Sequence, residues 1–169
     1  GHLVVADMAR REDVDRLAHS ALEQMNRVDI LINNAGTNLP QEIEQVRDED
    51  WDRIVQINLT SCMALSRALV PQMKQRRWGR VIYISSVMGL ASKEGRNGYS
   101  ATKSALLGLT RSGALELGPF GITVNAIAPG LFLTDLPGRV LTAEEKEQFA
   151  QRTALGRWGD PDELAGPVL

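Results

Sequence analysis

A single cysteine, Cys62, and two histidines, His2 and His19, are the only thiol and imidazole ligands in the 169-residue sequence. One cysteine cannot close an internal disulfide, and no His/Cys cluster stands at zinc-like spacing. A disulfide scaffold is therefore excluded, and no metal site is expected. Basic clusters are equally scarce. Lys and Arg number 19 against 21 Asp and Glu, a formal net charge of -2, which argues against nucleic acid as a partner. No apolar run approaches the roughly 18 to 20 residues needed to cross a bilayer, and no leader pattern is read at the front. A membrane partner is not expected, and cytoplasm is the expected compartment. What is present, 43% hydrophobic and 24% charged residues, suits one ordinary globular core, read as a single domain over 1–169.

The stretch that organises the rest is Tyr99-Ser100-Ala101-Thr102-Lys103, after the turn-rich run Glu94-Gly95-Arg96-Asn97-Gly98. A tyrosine and a lysine four apart at the start of an apolar-periodic segment share one face of a helix's first turn. A phenol titrates near about 10 in water, and an adjacent ammonium favours its anion. Such a pair can move a proton on and off an alcohol or carbonyl oxygen. A serine hydroxyl after the apolar run Val81-Ile82-Tyr83-Ile84 could bond the same oxygen, and both Ser85 and Ser86 are placed for it. Alone, the spacing also fits an amphipathic helix with a half-buried ring and a solvated ammonium.

Taken in order, short apolar runs alternate with helical patterns, as in a parallel sheet covered on both faces. Residues 3–6 read as a strand ending at Asp7, and residues 13–26 as a helix with Val14, Leu17, Ala18, Ala21, Leu22 and Met25 in one stripe. Asp7 would then stand at the carboxyl edge of the sheet, where ligands bind, or would serve as a turn or capping aspartate. Residues 29–33 form a buried strand closed by Asn33-Asn34-Ala35-Gly36, with Gly36 suited to close backbone approach or positive φ. A long helix over 48–76 carries more apolar positions than one stripe needs, and Asn58 sits unfavourably among them. A strand over 81–84, the Tyr99 helix to about Leu117 and a strand over 122–127 follow. Thr142-Ala143-Glu144-Glu145 reads as a capping box, and Asp160-Pro161 as the cap and first residue of another helix.

With Asp29 to Gly36, Asn58, Ser86, Tyr99 and Lys103, and Asn125-Ala126-Ile127-Ala128-Pro129-Gly130 followed by Thr134, the chain resembles the classical short-chain dehydrogenase/reductase family. It looks most like the 3-oxoacyl-carrier-protein reductase and gluconate or sugar dehydrogenase branches. The resemblance implies an α/β, Rossmann-like doubly wound parallel sheet with helices on both faces. It implies an oxidoreductase that interconverts an alcohol and a ketone with NAD or NADP. Asn58, Ser86, Tyr99 and Lys103 would be catalytic, the family spacing choosing Ser86 over Ser85 and giving Asn58 a place in a proton relay. Asp7, Met8, Asn34, Ala35, Gly36, Tyr99, Lys103, Pro129, Gly130, Phe132 and Thr134 would contact the cofactor. Residues 131–153 would form a substrate lid. A homodimer or homotetramer through helices 48–76 and 99–117 is also implied, although a well-buried helix explains the same pattern.

Both ends depart from the family. Its Gly-rich phosphate turn is absent, since Gly113, Gly118 and Gly121 fall in the wrong element. The family's first strand-helix-strand unit and its last strand are thus expected to be lacking. That leaves a second reading, a truncated chain that retains no cofactor and acts only through assembly. The open sheet edge would invite strand 3–6 to pair beside strand 29–33, or to swap between copies.

Overall fold

Three short strands rich in branched residues make the sheet: β1 (Ile30–Asn33), β2 (Gly79–Ile84) and β3 (Ile122–Ile127), parallel and adjacent in that order. Leu31 lies beside Val81 and Val81 beside Val124, so one apolar row crosses the sheet. Parallel neighbours can be joined only by long crossovers, and helices supply both. Between β1 and β2 run α2 (Asp48–Val55), a π turn (Gln56–Thr60) and α3 (Ser61–Arg76), and between β2 and β3 runs α4 (Asn97–Leu117). This connectivity puts the carboxyl ends of all three strands on one edge. The computed structural model describes residues 1–132 and 142–168, in two units, Gly1–Ala128 and Pro129–Leu169.

In the first unit, Leu65, Leu69 and Met73 succeed one another at helical spacing on α3 and are buried with Val81, Leu106, Ile122 and Val124. Each such side chain contributes about 1.5–3 kcal/mol by leaving water. Helix α1 (Arg11–Met25) buries Val14 and Ala18 against α3, with Leu17, Ala21 and Leu22 partly covered. Met25, the last residue of the helix, is 47% exposed, and Asn26, left-handed at φ 62, ends the helix after it.

The expected strand at 3–6 does not form. Leu3 and Val5 are 89% and 80% exposed, and β1 pairs only with β2 among the described residues. Neither β-propensity nor apolar character makes a strand without a neighbour to complete its ladder. The Arg16 guanidinium instead donates to the Val5 carbonyl at 3.2 and 3.3 Å. Pairing of this segment beside β1 is therefore not what the fold adopts.

The expected 48–76 helix is one helical run with a π turn at its middle, where the Ser61 N–H reaches the Gln56 carbonyl five residues back. In the second unit, α5 (Ala143–Gln151) brings Phe149 edge-on to Trp158 at 6.1 Å, and Trp158 Nε1 donates to the Lys146 carbonyl at 2.8 Å. Asp160 and Glu163 form a capping box with Pro161 in the first turn, and a 3₁₀ turn leads to α6 (Ala165–Val168). The Arg157 guanidinium beside Glu163 holds that carboxyl down to about 2. Met73, with no exposed surface, fills the space between α3 and Gly79. Met73→Ala is expected to cost about 2–5 kcal/mol, read as a lower urea midpoint; an unchanged midpoint would show that the core closes over the cavity.

Candidate active site

The Tyr99 and Lys103 pair stands in the first two turns of α4, as its spacing requires. Lys103 Nζ lies 5.7 Å from the Tyr99 ring centroid and donates to the Ile84 carbonyl, at the end of β2, at 2.6 Å. The tyrosine is half-buried, and the lysine is only 4% exposed. That excludes the solvated amphipathic face that the same spacing allows. Burial holds the Lys103 ammonium below its ordinary value of 10.5, with the Cys62 sulfur acting in the opposite sense. Burial likewise pushes the Cys62 thiol up. The other tyrosine, Tyr83, is spent in the core, its hydroxyl 2.8 Å from Ser66 Oγ.

Two close approaches set the lysine's place. A Cβ on Gly36 would stand 3.3 Å from Lys103 Nζ and 3.6 Å from Asn58 Oδ1. A Cβ on Gly89 would meet the Lys103 carbonyl carbon at 2.8 Å, a clash with backbone that no side-chain rotation relieves. Gly36 thus packs closely on the lysine without a positive φ, and a side chain there would need the ammonium to give by a few tenths of an ångström. The loop after β1 and the turn Val87–Gly89 after β2 both close on the same residue of α4.

The two serines separate cleanly. Ser85 Oγ is buried and donates to the Lys103 carbonyl at 2.8 Å, a packing bond between β2 and α4. Ser86 Oγ accepts from the Met88 N–H at 3.1 Å, which leaves its own proton to donate elsewhere. Asn58 lies inside the π turn with no exposed surface. Its Oδ1 accepts from the Thr37 N–H at 2.8 Å, and its Nδ2 donates to the Thr37 carbonyl at 2.9 Å and to Thr102 Oγ1 at 3.1 Å. A π turn costs regular hydrogen bonding and tends to occur where function needs it.

The remaining expected residues spread more widely. Asn34, Ala35 and Gly36 form the exposed tip of β1. Asp7 Oδ1 accepts from the Ala9 N–H at 3.0 Å, the turn role that its sequence allowed, and the Met8 carbonyl accepts from Gln56 of the π turn at 3.3 Å. Pro129, Gly130 and Phe132 belong to the second unit, where Phe132 bridges to Gly159. Thr134 and most of the first half of the expected lid lie outside the described residues. Thr37, Thr102 and Cys62 were not anticipated at the site. The available signal was a buried-type threonine four residues after Gly98 on the inner face of α4.

Two features bear on whether these residues suit a nucleotide. Gly36, without a side chain, keeps the space beside the Lys103 ammonium and the Asn58 amide that a Cβ would crowd. Asn33 is 4% exposed, yet neither of its amide atoms finds a partner among the described residues. Buried amides are normally paired, so the carboxyl end of β1 presents an unmet donor and acceptor. Both fit a polar group with hydroxyls at the carboxyl edge of a parallel sheet.

The folded protein releases the Lys103 proton more readily than the unfolded chain does, so stability rises with pH from the depressed value up to about 10.5. Lys103→Met removes the buried charge at similar volume and abolishes that rise. Its urea midpoint is expected to exceed the wild type's at neutral pH, with the gap narrowing toward pH 10.5. A lower midpoint at neutral pH would contradict the account.

Comparison with known proteins agrees with this geometry. The family described as short chain dehydrogenase matches residues 2–145. A 3-oxoacyl-[acyl-carrier-protein] reductase of Aquifex aeolicus is 35% identical over 168 residues, covering 99% of this chain and 67% of the relative. One of Synechocystis is 37% identical over 165 residues, covering 98% of this chain and 65% of the relative. The chain thus spans about two thirds of the length of these relatives. With a parallel sheet, a Tyr-Lys pair on the crossover helix and a family match over most of its length, the chain belongs to the short-chain dehydrogenase family.

Proposed function

We propose that the protein is an NAD(P)-dependent oxidoreductase that interconverts a secondary alcohol and a ketone. The observation that carries this reading is the buried Lys103 ammonium beside the Tyr99 ring, at the carboxyl end of β2. Bound NADH or NADPH supplies a hydride to the carbonyl carbon, and the reverse reaction returns it. The printed names of the relatives favour a ketone in an acyl chain as the substrate class.

The side chains account for the proton. Tyr99 gives its hydroxyl proton to the carbonyl oxygen as the hydride arrives, and Ser86 Oγ–H donates a hydrogen bond to that oxygen. Lys103 stabilises the phenolate that remains. One of its three protons is held by the Ile84 carbonyl, so two are left for the tyrosine and a ribose hydroxyl. By the family resemblance, Asn34, Ala35 and Gly36 would serve the ribose side and Asp7 and Met8 the adenine, and the nicotinamide roles of Pro129, Gly130, Phe132 and Thr134 rest on that resemblance alone. The Asn58 side-chain amide is engaged by Thr37 and Thr102, so a part in a proton relay would fall to its backbone carbonyl, which also accepts from the Cys62 thiol at 3.4 Å and has a second lone pair. Association into a dimer or tetramer through α3 and α4 is supported by Met63 and Leu115, which are 46% and 83% exposed on those helices.

Titration with NADH and with NADPH by nicotinamide fluorescence, followed by turnover of a 3-oxoacyl substrate, tests the reading. Saturable binding is expected, and Tyr99→Phe should keep the binding while losing about 10²-fold or more in kcat. Absence of binding by either nucleotide, or full turnover in Tyr99→Phe, would overturn it.

A further inference from the structure

We propose that Thr102 is a positioning residue for the Tyr99 and Lys103 pair and acts through the buried carboxamide of Asn58; as a claim about catalysis this rests on the oxidoreductase reading. The argument begins with a count of protons and lone pairs. Asn58 has no exposed surface, and each polar hydrogen of its amide must find an acceptor. Thr37 fixes which way the amide faces, since its N–H can be met only by Oδ1 and its carbonyl only by Nδ2. The second Nδ2 hydrogen then has one acceptor, Thr102 Oγ1 at 3.1 Å. The Thr102 proton is committed to carbonyls of its own helix, those of Gly98 and Tyr99, both at 2.9 Å. The hydroxyl therefore accepts from Asn58 and donates to α4, and the direction of every bond in the chain is determined.

A threonine that bonds back to its own helix is ordinary; Thr110 does so on α4, with its hydroxyl 2.8 Å from the Leu106 carbonyl. What sets Thr102 apart is the bond it accepts from another element. It stands between the two functional residues, with the Tyr99 carbonyl as one partner and Lys103 as its chain neighbour. Through Asn58 it also grips the peptide of Thr37, whose neighbour Gly36 packs on Lys103 Nζ. Three segments are thus tied at one point, the loop after β1, the π turn and the start of α4, and the first of them packs on the lysine. The Asn side-chain amide has a broad torsional preference. Without the Thr102 acceptor, its unpaired hydrogen favours a rotation that releases Thr37.

The test uses the ligand-free protein first, so that it stands whether or not the oxidoreductase reading does. Thr102→Val keeps the shape and removes the hydroxyl, whereas Thr102→Ser keeps the hydroxyl. Amide hydrogen exchange is followed at Thr37 and, as a control for global opening, at Val81 in the core of β2. Thr102→Val is expected to speed Thr37 exchange at least tenfold relative to Val81, and Thr102→Ser to restore the wild-type ratio. In turnover, Thr102→Val should lower kcat with little change in substrate KM, again rescued by serine. An unchanged Thr37 ratio in Thr102→Val, or a serine variant as perturbed as the valine one, overturns the proposal. Should the valine variant not fold, the wild-type protein decides. Both Asn58 side-chain amide protons must then be protected from exchange, and rapid exchange of either overturns the proposal.

Discussion

The structure depends on keeping one ammonium out of water. Lys103 lies at the junction of the carboxyl ends of β1 and β2 with the start of α4, and its charge is met chiefly by one backbone carbonyl. Burying an ammonium is costly unless it is well bonded, so the surroundings are built to leave it no alternative. Gly36 and Gly89 close on it from two loops, Ser85 locks its carbonyl, and α4 cannot shift without breaking these contacts together. In the proposed reaction, that cost places a positive charge beside the phenol that would transfer the proton. The same residue therefore weakens the fold and equips the site.

The polar network around that lysine is organised by exclusion of alternatives. Ser85 and Tyr83 are consumed by packing, which leaves Ser86 and Tyr99 with hydroxyls to offer. Asn58 sits in the π turn, which aims its amide at Thr37 and Thr102 instead of at solvent. The irregular turn thereby becomes a link between the loop after β1 and α4. Nothing in that link requires a charge, so it does not depend on pH.

Much of this was legible in the residues. Branched runs gave the three strands, and the four-residue step from Tyr99 to Lys103 gave their shared helix face, because both depend on local periodicity. The strand expected at 3–6 failed because a strand is a relation between segments, and the residues of one partner say nothing of whether the other is at hand. Met25 continues the stripe within α1 yet stays 47% exposed, because periodicity assigns a face and not what covers it. Thr102 was passed over because its importance lies in a bond to a residue 44 positions away. The oddity of Asn58 was visible, whereas the π turn that accommodates it was not, since a wider turn has no distinctive composition.

The account stands or falls on the buried state of one amine, and the most direct measurement is the titration of Lys103 in ¹³C-labelled protein, assigned by its loss in Lys103→Met. The Cε resonance of Lys103 is predicted to titrate below the ordinary lysine value of 10.5. Titration of Lys103 at or above that value would mean that its ammonium is solvated, and the buried site would not exist in solution.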